Sequence, residues 1–170
     1  MSMAKSQVPE FPDGLEWFNV NAPVRLAGQR GRIVLVSFCS FSTVEGRHVL
    51  ADLNYLARKY RKDITVIGVH STRFASEMKR THVRKMLNKH HIRFPLIHDP
   101  ELKLCKRFGI KQWPTQVLVD RDGFIIGALT GDGKRSRLEE VIEYQSKRES
   151  RYNAKDSEEF TVGHESEPSP

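Results

Sequence analysis

The chain has 170 residues, 38% of them hydrophobic and 29% charged, a balance that supports one globular domain with a real core and little more. No run of apolar residues is long enough for a membrane-spanning helix, and two cysteines, Cys39 and Cys105, are too few for a disulfide-rich scaffold or an all-cysteine zinc site. The net charge of +7 understates the basicity of the body, because residues 149–170 carry six acids against Arg151 and Lys155, and a body this basic favours acidic partners or its own tail.

The opening, MSMAKSQVPEFPDG, has neither the apolar stretch of a signal peptide nor the basic charge of a transit peptide. A cytoplasmic location without membrane contact is therefore expected, with residues 1–14 a flexible arm. Arg32-Ile33-Val34-Leu35-Val36-Ser37-Phe38 reads as a buried strand. Val49, Leu50, Leu53, Leu56, Ala57 and Tyr60 then recur at helical spacing. Ile64 to Val69 is a second buried strand, and Ser76 to His90 a basic helix with Val83, Met86 and Leu87 inward. A brief strand over Phe94 to Ile97 and a short helix over Glu101 to Phe108 follow, the latter ended by Gly109. Thr115 to Val119 and Phe124 to Leu129 flank Asp120-Arg121-Asp122-Gly123, a hairpin signal. Leu138, Val141 and Ile142 begin a last helix, and residues 147–170 read as a disordered acidic tail. Early βα units imply parallel strands, and the hairpin adds an antiparallel edge.

Within this layout, Leu15-Glu16-Trp17-Phe18-Asn19 followed by Gly31 to Phe38 resembles the opening of thioredoxin-like domains. Val66-Ile67-Gly68-Val69-His70-Ser71 is similar to the second strand of the branch that includes the NHL-repeat-containing thioredoxin proteins. Phe108-Gly109-Ile110 and then Trp113-Pro114-Thr115 resemble that family's cis-proline segment. The resemblance covers Leu15 to Tyr144 and implies an α/β thioredoxin fold, a central mixed sheet with helices on both faces, over residues 15–146.

The family's chemistry uses Cys-x-x-Cys at the start of the helix after the first core strand, where the helix N-terminus lowers the pKa of the first thiol and the second thiol resolves the mixed disulfide. The resemblance places Thr43 at the first of these positions and Gly46 at the second, with Ser37 where an acid is common and Cys39 where tryptophan is usual. A threonine hydroxyl forms no mixed disulfide, so ordinary dithiol exchange is not expected. Ser42-Thr43-Val44-Glu45 instead matches a capping box with Ser42 as the cap. The resemblance also implies a peptide-binding edge at Trp113, Pro114 and Thr115. Alternatively, Pro114 only completes the turn into the next strand.

Three functions remain open. The first is a redox-inactive protein-binding module, acting through the cis-proline face or the basic helix, with a protein partner that charge favours as acidic. The second is an atypical thiol oxidoreductase using Cys39 alone or paired with Cys105, which requires an accessible, acidified Cys39. The third is an electrostatic nucleic-acid binder through the Lys79–Arg93 segment, with Lys79, Arg80, Arg84, Lys85 and Lys89 as the anion-binding set. His82, His90 and His91 lie in that segment without the spacing of a metal site, and His48 and His70 read as structural. No cofactor or metal is expected.

Overall fold

The computed structural model describes residues 5–161, with side chains described for residues 5–148. Its strands are β1 (Glu16–Phe18), β2 (Ile33–Cys39), β3 (Ile64–Ser71), β4 (Leu96–Asp99), β5 (Thr115–Val119) and β6 (Ile125–Thr130). The helices are α1 (Val44–Lys59), α2 (Arg80–Lys89), α3 (Lys103–Arg107) and α4 (Arg135–Thr161). The strands form one sheet in the order β1-β4-β3-β2-β5-β6. β2 and β3, and β3 and β4, pair parallel, whereas β1 and the β5–β6 hairpin pair antiparallel. This is the thioredoxin-like α/β architecture that the resemblance implied.

Strand alternation sorts the core into two layers. Ile33, Leu35 and Cys39 face a cluster with Val49, Leu50, Leu53 and Leu56 of α1, Val83 and Leu87 of α2, and Leu138 and Ile142 of α4. Val34, Val36 and Phe38 face the other way, toward Leu26, Leu104, Cys105, Val117 and the N-terminal segment. The apolar run of β2 is thus buried on both faces, as its unbroken hydrophobicity required. In the β5–β6 turn, Gly123 has φ +89°. Asp120 Oδ1 accepts from the backbone N–H groups of Asp122 at 3.0 Å and Phe124 at 2.9 Å.

Several boundaries depart from the sequence expectation. Residues 5–14 are not a free arm: Val8 and Phe11 are buried, Gln7 bridges to Phe124, and Phe11 packs edge-on against Trp17 and stacks on Phe108. An arm of ten residues holds there because Val8 and Phe11 cover part of a sheet face that the short α3 and the turn carrying Leu26 leave open. The basic helix begins at Arg80 rather than Ser76, since Ala75–Glu77 form a 3-10 turn. β1 carries only three residues, too few for a periodic signal. Helix α4 runs on to Thr161, through residues 147–161 that were expected to be disordered; no glycine or proline interrupts residues 135–161, so nothing local stops it. The rest of the expected arm and tail, residues 1–4 and 162–170, lies outside the described residues.

If the N-terminal segment is part of the second core layer, Phe11→Ala removes a buried ring with two aromatic neighbours and destabilises the domain by about 3–5 kcal/mol. Urea unfolding measures this; an unchanged midpoint would mean that the segment is dispensable.

Candidate functional site at the C-terminal edge of the sheet

The β2–α1 turn, the segment after β3, the end of β4 and the loop before β5 all meet at one edge of the sheet. The register fixes this: Phe38 near the end of β2 pairs with Thr115 at the start of antiparallel β5, and Cys39 pairs with His70 of parallel β3. The Trp113–Pro114 peptide bond is cis, as the resemblance implied, and Pro114 and Thr115 are buried with Trp113 half-buried beside them. Thr43 and Gly46 stand at the head of α1 on the same edge.

The head of α1 is built differently from the predicted capping box. Thr43, not Ser42, is the N-cap, and its hydroxyl accepts from Gly46 N–H at 3.0 Å. The same hydroxyl donates to the Ser40 carbonyl at 3.2 Å. Ser42 Oγ turns aside to Ser40 Oγ, 3.0 Å away. Gly46 packs so closely on the turn that a Cβ at this position would overlap the Ser40 carbonyl oxygen. Ser37, on the α1 side of the sheet by alternation, is fully buried, and neither its hydroxyl nor the side-chain oxygen of its cross-strand neighbour Gln116 finds a partner.

The cysteines do not fit the paired arrangement. Cys39 lies in the α1-side cluster and Cys105 in the opposite one, with the sheet between them. Both are free and buried, because β2 ends in one layer and α3 packs on the other. Burial pushes the Cys39 thiol up to about 12, the reverse of the acidified, accessible thiol that catalysis through it requires. Burial also raises Cys105, whose thiol donates to Ser71 Oγ at 3.1 Å and accepts from Trp113 Nε1 at 3.4 Å.

The basic segment is partly committed to packing. Arg80 pairs with Glu16 at 3.0 Å, and the guanidinium groups of Arg80 and Arg84 lie 5.7 and 5.5 Å from the centre of the Phe18 ring. All five members of the expected anion-binding set, Lys79, Arg80, Arg84, Lys85 and Lys89, are exposed, with Arg80 also paired to Glu16. His48 pairs with Asp132 at 2.9 Å.

Sequence reasoning missed a buried polar chain directly beneath this edge. Ser40 Oγ donates to Glu77 Oε2 at 3.1 Å, and His70 Nε2 lies 3.3 Å from the same oxygen. The His70 and His98 rings stack with their Nδ1 atoms 3.3 Å apart. His98 Nε2 is 2.8 Å from the Met78 carbonyl, which only accepts, so that nitrogen carries the proton. Phe41 stacks on the other face of His70 at 4.3 Å. His70, Glu77 and His98 are all buried. The signal was a histidine at the end of each of two apolar strand runs. Glu77 carried none, because its burial depends on the histidine it meets.

Desolvation pushes His70 down to about 4, reinforced by His98 and His82 and opposed by Glu77. Burial works to raise Glu77, but the hydroxyls of Ser42, Ser40 and Thr72 together with His70 outweigh it and hold the carboxyl below its usual range. Burial thus works against the charged form of His70, while the hydroxyls around Glu77 favour its charged form. Among the described residues no cluster of three His, Cys, Asp or Glu side chains is arranged to hold a metal ion, and no helix is long and apolar enough to cross a membrane.

The sequence matches the AhpC/TSA family over residues 6–128. The chain belongs to that family. It is 34% identical over 137 residues to the Arabidopsis thaliana protein SUPPRESSOR OF QUENCHING 1, chloroplastic, covering 79% of this chain and 13% of that protein. It is 31% identical over 134 residues to human NHL repeat-containing protein 2, covering 77% of this chain and 18% of that protein. The chain therefore spans less than a fifth of the length of either relative. A thioredoxin-like protein solved in solution in its oxidised form superimposes with a TM-score of 0.74 at 20% identity, over 82% of this chain and 94% of that one, a likeness of fold alone.

Because His70 binds a proton less readily in the fold than its ordinary value of about 6.5, its contribution to stability is complete above pH 6.5 and is lost as the pH falls toward 4. Glu77 acts in the same direction below about 4.5. Urea midpoints measured between pH 7 and 4 should fall across this window, and His70→Asn should flatten the upper part of the profile. A wild-type profile that is level from pH 6.5 to 5 would contradict this assignment.

Proposed function

We propose that this chain is a thioredoxin-like domain without dithiol exchange, acting as a protein-binding module through the edge that carries the cis-proline. The observation that carries the reading is the contact between Gly46 and the Ser40 carbonyl. The position of a resolving cysteine is not merely substituted; the β2–α1 turn occupies the space that its Cβ would need. Thr43 at the other motif position is engaged as the helix cap, and no acid stands at Ser37 to move a proton. The cis-proline loop, which needs no thiol to hold an extended peptide, is retained.

The oxidoreductase alternative through Cys39 is disfavoured by its burial and by the raised thiol, and the pairing with Cys105 by the intervening sheet. The nucleic-acid alternative keeps its five basic residues exposed, Arg80 sharing its charge with Glu16, but no observation at that helix favours it over the cis-proline edge.

The test is insulin-disulfide reduction with dithiothreitol as the reductant. The wild type should give the uncatalysed rate, and catalysis by it would overturn the reading. Gly46→Ala supplies the steric control. Helix propensity alone predicts a gain of about 1 kcal/mol, whereas displacement of the Ser40 turn predicts a loss of about 1–3 kcal/mol. A stabilised Gly46→Ala protein would show that the turn leaves room for a side chain.

A further inference from the structure

The proposed edge presents an unusual surface. Of the five exposed large apolar side chains among the described residues, three stand here: Phe74 (57% exposed), Val44 (52%) and Met78 (39%). Their exposure is not a product of a loose loop. Phe74 N–H donates to Thr72 Oγ1 at 3.0 Å, and its carbonyl accepts from Glu77 N–H at 3.0 Å. Glu77 in turn is buried and tied to Ser40 and His70, and the Met78 carbonyl is held by His98. The Phe74–Met78 turn is therefore anchored from beneath while its apolar side chains face outward. A large side chain on a fixed backbone loses little entropy when it is covered, which is the property of an interface anchor.

The segments that carry these residues adjoin one another. The bond from Ser40 to Glu77 sets the Phe74–Met78 turn against the turn that leads into Val44. On the other side, the Arg73 guanidinium lies 5.6 Å from the centre of the Trp113 ring, joining the same segment to the cis-proline loop. The unpaired charge at this edge is mostly basic: Arg73, Lys79 and Lys111 are exposed, Glu77 and Asp99 are buried, and of the remaining carboxylates Glu101 pairs with Lys103 and Asp132 with His48, while Glu45 is exposed.

We propose that Phe74 and Met78, with Val44, anchor an extended segment of a partner protein that carries apolar residues interspersed with carboxylates, and that Arg73 selects it by charge. This rests on the reading of the edge as a protein-binding surface and names what it takes. The apolar residues of the partner cover Phe74 and Met78, and its carboxylates meet the guanidinium held over Trp113. A basic or neutral segment of the same shape gains only the apolar part.

Fluorescence anisotropy with three labelled peptides tests this: alternating leucine–glutamate, leucine–glutamine and leucine–lysine sequences, each titrated with the full chain. The leucine–glutamate peptide should bind, weaken as salt rises, and lose about tenfold in affinity, or about 1.4 kcal/mol, with either Phe74→Ala or Arg73→Glu. Both positions are exposed, so circular dichroism should show both variants folded. Equal binding of the glutamate and glutamine peptides, unaffected by Arg73→Glu but weakened by Phe74→Ala, would overturn the charge selection and leave the protein-binding reading standing. Binding of the glutamate peptide that neither variant weakens would place the site elsewhere and overturn the proposal. Absence of binding by all three peptides at low salt would overturn both the proposal and this edge as the binding surface, without touching the loss of dithiol chemistry, which insulin reduction reports separately.

Discussion

The close approach of α1 to the Ser40 carbonyl organises this molecule. Only glycine at position 46 permits it, and it brings the first turn of the helix onto the end of β2, where the Thr43 hydroxyl bonds in both directions, accepting from Gly46 and donating to Ser40. Ser40 is thereby fixed, and with it the hydroxyl that reaches Glu77. Through Glu77 the constraint passes to His70 and His98 and to the Phe74–Met78 turn. A glycine contact at one end and a histidine pair at the other thus hold the surface loops of the edge in a single arrangement.

On the proposed reading, that arrangement does not support dithiol exchange at the head of α1. Dithiol exchange needs an acidified thiol at the helix head, a second thiol one turn on, and a group to move the proton. Here the helix head is capped by an alcohol, the next position has no room for a side chain, and the candidate relay position is a buried serine. The two thiols the chain does possess are separated by the sheet, and burial raises both rather than lowering either. What the edge retains is the cis-proline loop, on which the proposed binding role rests.

Much of this was legible in the sequence, and the failures have physical causes. The buried strands β2, β3 and β5 were visible because strands covered on both faces need unbroken apolar runs, and α1 because its inner face repeats at helical spacing. The cis-proline loop was visible only through resemblance, since no periodicity marks it. The cap was misplaced by one residue: Glu45 three residues on favours Ser42 as a local signal, but Ser40 engages both hydroxyls and leaves Thr43 at the helix head. Val8 and Phe11 were read as part of a loose arm because their burial depends on a sheet face that α3 is too short to cover. Glu77 was unreadable for the same kind of reason, its partners lying at distant positions in the chain and drawn together only by the strand register.

The central claim, that the thiols of this domain take no part in exchange, is tested most directly by differential alkylation mass spectrometry of Cys39 and Cys105 in the native protein across glutathione redox buffers. The account predicts that both remain reduced throughout and resist alkylation until the protein is unfolded. A reversible disulfide between them, or rapid alkylation of Cys39 in the folded protein, would contradict it.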